Sequence, residues 1–588
     1  MGANLFFAST GAVLEVIGVP VDDSLIGAWR ELVVRAGAHL RWPKTQCVAR
    51  RHLGGASFAI AAPIDQLFLA TEVNEWALCA ALMRRDPERW RGLEAALIAE
   101  ALDAAGTSPS PAADIAPVLE ESLAFARFVR VAALEARPAL CALLAAARAR
   151  GLPHVLDESA LTLGSGDGGQ DFPLAALPDA ADVAWAQLHD IPTAIVTGSN
   201  GKTTTVRLLA ACARAHGLRA AFNCTDGVFC GDEVLAAGDY SGPAGARRVI
   251  REHRAQAAIL ETARGGILRR GIAMSQAKVA VITNISSDHF GEYGIDDLAG
   301  LADAKLTVGA VVAEDGLLVL NADDALLRGR AAALAQRFGR TPPLGWFAAT
   351  PDAPSLREYR QRGAPTCGVH DGRLHLHHGG AGHDLGSIAA MPLSMNGVAA
   401  YNIANLAGAA LAAAALGIPP ATIARVLGQF GASLKDNPGR MMRFDVGGVT
   451  VLVDYAHNPD GLRGFLTVAQ HLRGANGRLG LLLGHAGNRK DSDIEELARV
   501  AAGFHPDLVI VKETESFLRG RPPGQIPRLI LAELRRMGLP EAALPPARDS
   551  EVEAAEAALA WARAGDVLAL PVHSTAARAR VVAMLERR

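Results

Sequence analysis

The chain has 588 residues, half of them hydrophobic and a fifth charged, with a net charge of -3 at pH 7. That length suits about three to four domains with sizeable cores, and the near-neutral balance points to neither nucleic acid nor an anionic membrane as a partner. The opening M-G-A-N-L-F-F-A-S-T has no basic stretch, no apolar run is long and clean enough to span a bilayer, and the seven scattered cysteines contain no C-x-x-C pair, so the expectation is a cytoplasmic protein with reduced thiols.

In chain order, residues 14–19 read as a strand and 24–38 as a helix with Leu25, Trp29, Leu32 and Val33 along one side. A basic segment at 41–51 precedes Gly54-Gly55 and the apolar run 57–62. The glycine pair beside His52 reads as a tight turn, with an anion site as the other reading. Residues 74–83 and 89–105 read as helices, 107–114 as a Ser-, Pro- and Ala-rich loop, and 118–150 as helix broken at Pro138. Residues 1–150 are therefore expected to form a separate α+β N-terminal domain of unclear role. Between 151 and 190 the composition shifts to Gly, Asp and Pro, with G-S-G-D-G-G at 164–169 and no helix start behind it, which reads as a linker.

From Ile191 strands and helices alternate, as in a parallel sheet covered on both faces. A β-branched run, Ile195 to Thr197, stops at Gly198, and a glycine turn carries Lys202 and Thr203 into an apolar-periodic helix. Strand, glycine turn, Lys-Thr and helix make a phosphate cradle: amide N–H groups face the anion, the lysine adds a point charge, and a hydroxyl can ligate Mg²⁺. The spacing departs from the general P-loop pattern, because Val196 stands where that pattern needs its first glycine. Later strands end at Glu261, at N-I-S-S-D-H (284–289) and at N-A-D-D (321–324), the ends where an α/β sheet presents its ligands. Five histidines at 370–383 raise the question of a metal, but D-G-R-L-H-L-H-H-G-G alternates like a hairpin. Helix 396–416 carries Asn402 and Asn405 on one face. Beyond Pro438 a second, smaller sheet is expected, with strands 449–453, 481–483, 508–511 and 567–570 and a closing helix at 576–585.

The compact loop T-G-S-N-G-K-T-T resembles that of the Mur ligase superfamily. T-D-G-V-F, G-D-Y-S-G-P (238–243), L-E-T-A-R-G-G-I-L-R (260–269), N-I-S-S-D-H, N-A-D-D, P-G-R (438–440), V-D-Y-A-H-N-P and L-R-G-R-P-P-G (518–524) follow in matching order across 191–588. Within the superfamily these segments are most similar to the ligase half of the cyanophycin synthetase family. The resemblance implies an α/β fold: a central P-loop ATPase domain with a parallel sheet at 191–437 and a smaller Rossmann-like domain at 438–588. It implies an ATP-dependent carboxylate–amine ligase working through an acyl phosphate, adding an amino acid to an amino-acid or peptide carboxylate, with ATP and Mg²⁺.

The same resemblance assigns roles. Gly198, Asn200, Gly201, Lys202, Thr203 and Thr204 would hold phosphates, and Thr203, Glu261 and His289 would ligate Mg²⁺. Lys202, Glu261, His289, Lys305 and Arg440 make the catalytic set. Asn402 and Asn405 would lie on the adenine side; Arg440 and Asp454 would grip phosphate and ribose on closure, with His457 and Asn458 lining the same cleft. Lys305 falls near the family's carbamylated lysine, with a plain helix-surface lysine as the other reading. Arg264 and Arg269 would hold an anionic substrate or form surface ion pairs. A cationic amino acid such as arginine is the implied nucleophile, with Glu513, Glu515, Asp491 and Asp493 as candidate receivers. The roughly 190 residues ahead of the loop are too few for the ATP-grasp module that precedes this half in cyanophycin synthetases. Polymerising two amino acids would then need a separate ATP-grasp partner; homo-oligomerisation is the other partner expectation. A folylpolyglutamate-type ligase, a non-catalytic nucleotide-binding partner of another ligase, and a kinase stopping at the acyl phosphate are the alternatives.

Overall fold

A computed structural model describes residues 2–43, 45–90, 119–287, 290–513 and 517–587. Near the N-terminus, β1 (Gly11–Ile17), β2 (Cys47–His52) and β3 (Gly55–Ala61) form an antiparallel sheet of order β1-β3-β2. The β2–β3 turn falls at the glycine pair, where Gly55 has φ 155°, so the turn reading holds. Helix Asp23–His39 starts at an Asp22 cap that accepts from Leu25 N–H, and buries Leu25, Trp29, Leu32 and Val33 as the periodicity requires. The Trp29 indole donates to Asn74 of helix Leu67–Arg85, whose amide donates to Phe58 O, so one buried polar chain ties two helices to the sheet. The helix expected at 89–105 and the loop at 107–114 lie almost wholly outside the described residues. Helices Glu121–Glu135 and Pro138–Ala149 follow, with Pro138 in the first turn, where its missing N–H costs nothing.

The stretch read as a linker is folded. Residues 154–173 form an antiparallel sheet of β4 (His154–Leu156), β5 (Ala160–Leu163) and β6 (Gln170–Pro173), whose Leu161, Leu163 and Phe172 pack on Leu140 and Leu143. Strands of three and four residues are too short to imprint a period, and the glycines serve close packing: Gly166 N-terminal to Asp167 lies against Ala255 O.

The large sheet holds β7 (Thr193–Thr197), β8 (Ala220–Cys224), β9 (Gly227–Cys230), β10 (Glu233–Ala237), β11 (Ala257–Glu261), β12 (Ala277–Ile282), β13 (Val312–Asn321), β14 (Leu344–Ala348), β15 (Thr366–His370), β16 (Arg373–His378) and β17 (Ala381–Ser387). Its order is β10-β9-β8-β11-β7-β12-β13-β14-β15-β16-β17. The seven strands from β8 to β15 run parallel, and the outer pairs are antiparallel hairpins, so the expected parallel sheet is the centre of a mixed one. Every residue of β7 is buried, because helices cover both faces: Lys202–Ala215 and Ala400–Ala415 on one, Leu298–Leu306 on the other. In the histidine-rich hairpin, Leu374 and Leu376 enter the core while His375 and His377 face away, and the exposed Asp352, His370 and Asp371 gather beside it.

The last sheet has order β18-β19-β22-β20-β21, from β18 (Met442–Val446), β19 (Val449–Asp454), β20 (Leu479–Leu483), β21 (Leu508–Val511) and β22 (Val567–Pro571). Apart from the β18–β19 hairpin it is parallel. Its strand ends face the β7 loop, as the contacts below show. Among the described residues no helix is long and apolar enough to cross a membrane.

Candidate functional site

The loop from Gly198 to Gly201 is held from below by the end of β12. Ser199 N–H donates to Asn284 O at 3.0 Å and Asn200 N–H to Asn284 Oδ1 at 3.0 Å, while Ser199 Oγ donates to Ser286 O at 2.9 Å. Asn200 O accepts from Thr283 Oγ1 and Asn284 Nδ2. Gly198 (φ 148°) and Gly201 (φ 84°) need glycine on two grounds: a Cβ on the first would run into Thr283 Oγ1, and on the second into Asn405 Oδ1. With its side chains tied down behind it, the loop leaves the N-terminus of helix Lys202–Ala215 as a bare cradle. Lys202 Nζ folds over it, donating to Gly198 O at 3.0 Å and Ser199 O at 2.9 Å.

At the next residue, Thr203 Oγ1 donates to Glu261 Oε2 at 2.8 Å, and Thr225 Oγ1 reaches Glu261 Oε1 at 3.3 Å. Glu261 is 1% exposed. Burial pushes its carboxyl above the ordinary range, against the opposing pull of Lys202, Thr203 and Arg440. A buried carboxylate and hydroxyl beside a phosphate cradle are the hard oxygen donors that Mg²⁺ takes, so the residues present fit that ion. His289 lies outside the described residues.

The C-terminal unit closes over this cradle. Asn458 caps helix Pro459–Leu472, accepting from Gly461 N–H, and donates through Nδ2 to Asn200 Oδ1 at 2.9 Å. Asn437 Nδ2 donates to Thr204 Oγ1 at 3.1 Å. The Arg440 guanidinium lies 4.4 Å from the centroid of Tyr455, whose ring meets His457 and His573 edge-on. His457 Nδ1 faces Tyr455 O at 3.2 Å. Asp454 does something the motif does not announce: it takes the amide N–H groups of Met441, Tyr455 and Ala456, so it ties the bend carrying Arg440, just before β18, to the end of β19. Burial raises its carboxyl as well, against Arg440 and those amides. At the seam, a cavity of about 420 Å³ is lined by Leu393, Met395, Asn437, Arg440, Met441 and Phe444 among others.

Asn402 and Asn405 are buried and joined at 3.2 Å, with Asn402 Nδ2 held by Leu393 O and Asn405 against Gly201. Lys305 is 2% exposed, so the helix-surface reading is wrong: helix Leu298–Leu306 turns it into the protein. Arg264 pairs with Glu292 at 2.5 Å and is buried, whereas Arg269 is exposed over Tyr293. Two of the acidic candidates are engaged by the segment 521–524. Asp491 pairs with Arg521 at 2.7 Å, Glu513 accepts from Gly524 N–H at 2.7 Å, and Glu515 lies outside the described residues. Residues the sequence reading passed over are Thr225, Asp226, Asn284, Ser286, Asn437 and Tyr455; each sits inside or beside a quoted motif, and its side-chain direction is what the motif does not give.

The two units that meet at this cradle are similar to known proteins. The Mur ligase middle domain matches residues 196–413, and the Mur ligase glutamate ligase domain matches residues 439–570. Cyanophycin synthetase of Trichormus variabilis is 38% identical over 342 residues, 58% of this chain and 37% of that protein. The chain thus spans little more than a third of the length of that relative. UDP-N-acetylmuramoyl-L-alanyl-D-glutamate--2,6-diaminopimelate ligase of Alkalilimnicola ehrlichii is 32% identical over 397 residues, 64% of this chain and 72% of that one. Among solved structures, E. coli FolC in complex with ADP aligns at 20% identity and a TM-score of 0.47, over 67% of this chain and 90% of that one. The chain belongs to the Mur ligase family.

Proposed function

We propose that the protein is an ATP-dependent carboxylate–amine ligase that adds an amino acid to an amino-acid or peptide carboxylate. The observation that carries this is the buried Thr203–Glu261 pair at the foot of the phosphate cradle, with Arg440 brought over it from the opposite unit. The acceptor carboxylate attacks the γ-phosphorus of ATP, ADP leaves, the amine attacks the acyl carbon, and phosphate departs. Such a reaction needs positioning and charge neutralisation more than covalent help from the protein. The amides of 201–204 bind the phosphates together with the Lys202 ammonium, which swings off the loop carbonyls to do so. The seam cavity takes the nucleoside, with Asn437 and Arg440 at its polar end. Thr203, Glu261 and His289 would hold Mg²⁺, which would supply charge neutralisation for phosphoryl transfer. Arg440, backed by the Tyr455 face, offers its N–H groups to the transferred phosphoryl oxygens. Closure of the seam keeps water from the acyl phosphate. Carbamylation of Lys305, proposed on the likeness to Mur ligases, would give this buried side chain a carboxylate-like head in place of an ammonium. A cationic amino acid such as arginine is the proposed amine, a choice that rests on the likeness to cyanophycin synthetases.

The test is phosphate release from ATP and Mg²⁺ with amino acids supplied singly, together with short acidic peptides or folate. Release should require one amine and one carboxylate, and Lys202→Ala should lower it about 100- to 1000-fold. Dependence on folate would favour a folylpolyglutamate-type ligase, release without any amine a kinase, and nucleotide binding without release a non-catalytic partner.

A further inference from the structure

Asp226 stands in the turn between β8 and β9, outside the phosphate loop and the Thr203–Glu261 pair. Its Oδ1 accepts from Arg578 Nη2 at 2.6 Å and its Oδ2 from Arg207 Nη2 at 3.2 Å. Arg207 belongs to the helix behind the phosphate loop, and Arg578 to the last helix of the chain, Thr575–Glu586. One carboxylate therefore joins the two units that enclose the site. The three side chains are only 7% to 11% exposed. The Arg578 stem also fills the space over Gly439, where a Cβ would run into it, so it braces the backbone one residue before Arg440. Burial works to raise the Asp226 carboxyl, and Arg440, Arg578 and Arg207 together outweigh it and hold it below the ordinary range. A carboxylate kept charged in a nearly dry seam, with a guanidinium from each side, is costly to separate: parting the pair leaves buried charge without a partner.

We propose that Asp226 and Arg578 are the latch that holds the seam closed and, through Gly439, sets the place of Arg440 over the Glu261 site. Both are positioning residues; neither touches the reacting atoms. The consequence for chemistry rests on the ligase reading. An unlatched seam admits water to the acyl phosphate, so ATP is spent without amide formation.

Hydrogen exchange on the full chain with ADP and Mg²⁺ reads the latch directly. Arg578→Ala and Asp226→Asn should each speed exchange across residues 575–586 and 439–446 by about thirtyfold, with β7 and β11 unchanged. The double variant should be no worse than either single one, and Arg578→Lys should recover part of the protection. In turnover, phosphate released per amide formed should rise in the single variants and fall back in Arg578→Lys. Unchanged exchange at 575–586, or faster exchange with the wild-type phosphate-to-amide ratio, overturns the proposal. Should Arg578→Ala fail to fold, Asp226→Asn and Arg578→Lys give the same comparison. If the wild type forms no amide with any substrate pair, the ligase reading fails, while the exchange pattern still decides the latch.

Discussion

At the residue scale, the group on which most converges is Glu261. Its carboxyl is held above the ordinary carboxylate range by burial, which means the folded protein binds this proton more tightly than the unfolded chain does. The sign follows: stability from this group is fully present below the unfolded value and is lost as pH rises through the folded one. Binding Mg²⁺ demands the opposite charge state, so the ion competes with the proton. Mg²⁺-dependent ADP affinity should therefore rise with pH through that window, and calorimetry in buffers of different ionisation heat should register proton release on binding. Glu261→Gln should abolish both the pH dependence and the proton release, lower Mg²⁺-dependent affinity about tenfold or more, and stabilise the nucleotide-free protein at neutral pH. An unchanged slope of affinity against pH in Glu261→Gln would remove Glu261 from the metal site. Lys202 makes a complementary point: its ammonium rests on two carbonyls of its own loop, so its charge is stored at the cradle.

At the scale of elements, the phosphate loop depends on backbone that only glycine supplies. Gly201→Ala places a methyl against Asn405 Oδ1 at φ 84°, and should cost about 1–3 kcal/mol in stability together with nearly all nucleotide affinity. Adding Asn405→Ala to it removes the collision but leaves the positive φ, so denaturant midpoints should recover only in part; full recovery would mean that the backbone conformation costs nothing there. Such loops were legible because their chemistry is written in residue types at fixed spacing. The strands at 449–453, 481–483, 508–511 and 567–570 were legible too, as short apolar runs between turn residues, and their ends shift by no more than two residues in the structure. The sheet at 154–173 was not. Its alternation is spread over strands of three and four residues, and its register comes from contacts with Leu140, Leu143 and Arg251, the last of which donates to Thr162 Oγ1 at 2.7 Å and to Ala160 O at 3.1 Å. The same limit hid the partners of Asp454. The motif supplied the carboxylate, and the tertiary fold decided that it would face backbone amides.

For the whole molecule, the question is what residues 11–61 do for a site built by residues 198–578. The contact is specific. Arg50 Nη1 donates to Gly294 O at 2.6 Å, Leu53 N–H donates to Asp296 Oδ2 at 2.8 Å, and the His52 ring fills the space beside Gly294. The loop they grip, 290–297, carries the Glu292 that pairs with Arg264 from the end of β11 and accepts from Asn488 of the C-terminal unit at 3.4 Å. All three units thus meet at one loop. On the ligase reading, the nucleotide is assigned to the seam cavity and the acceptor carboxylate to the side where the N-terminal sheet grips this loop. Arg50→Gln and Asp296→Ala should accordingly raise the KM for the acceptor carboxylate about tenfold, the value of one hydrogen bond involving a charged group, and leave the KM for ATP unchanged. Steady-state kinetics with each substrate varied in turn separates the outcomes. An equal rise in both KM values would mean that the hairpin holds the fold of the site as a whole. No change in either would confine the N-terminal sheet to packing and return acceptor recognition to the Arg264 side of the loop, where Glu292→Gln, removing a carboxylate charge beside Arg264, should then tighten an anionic acceptor.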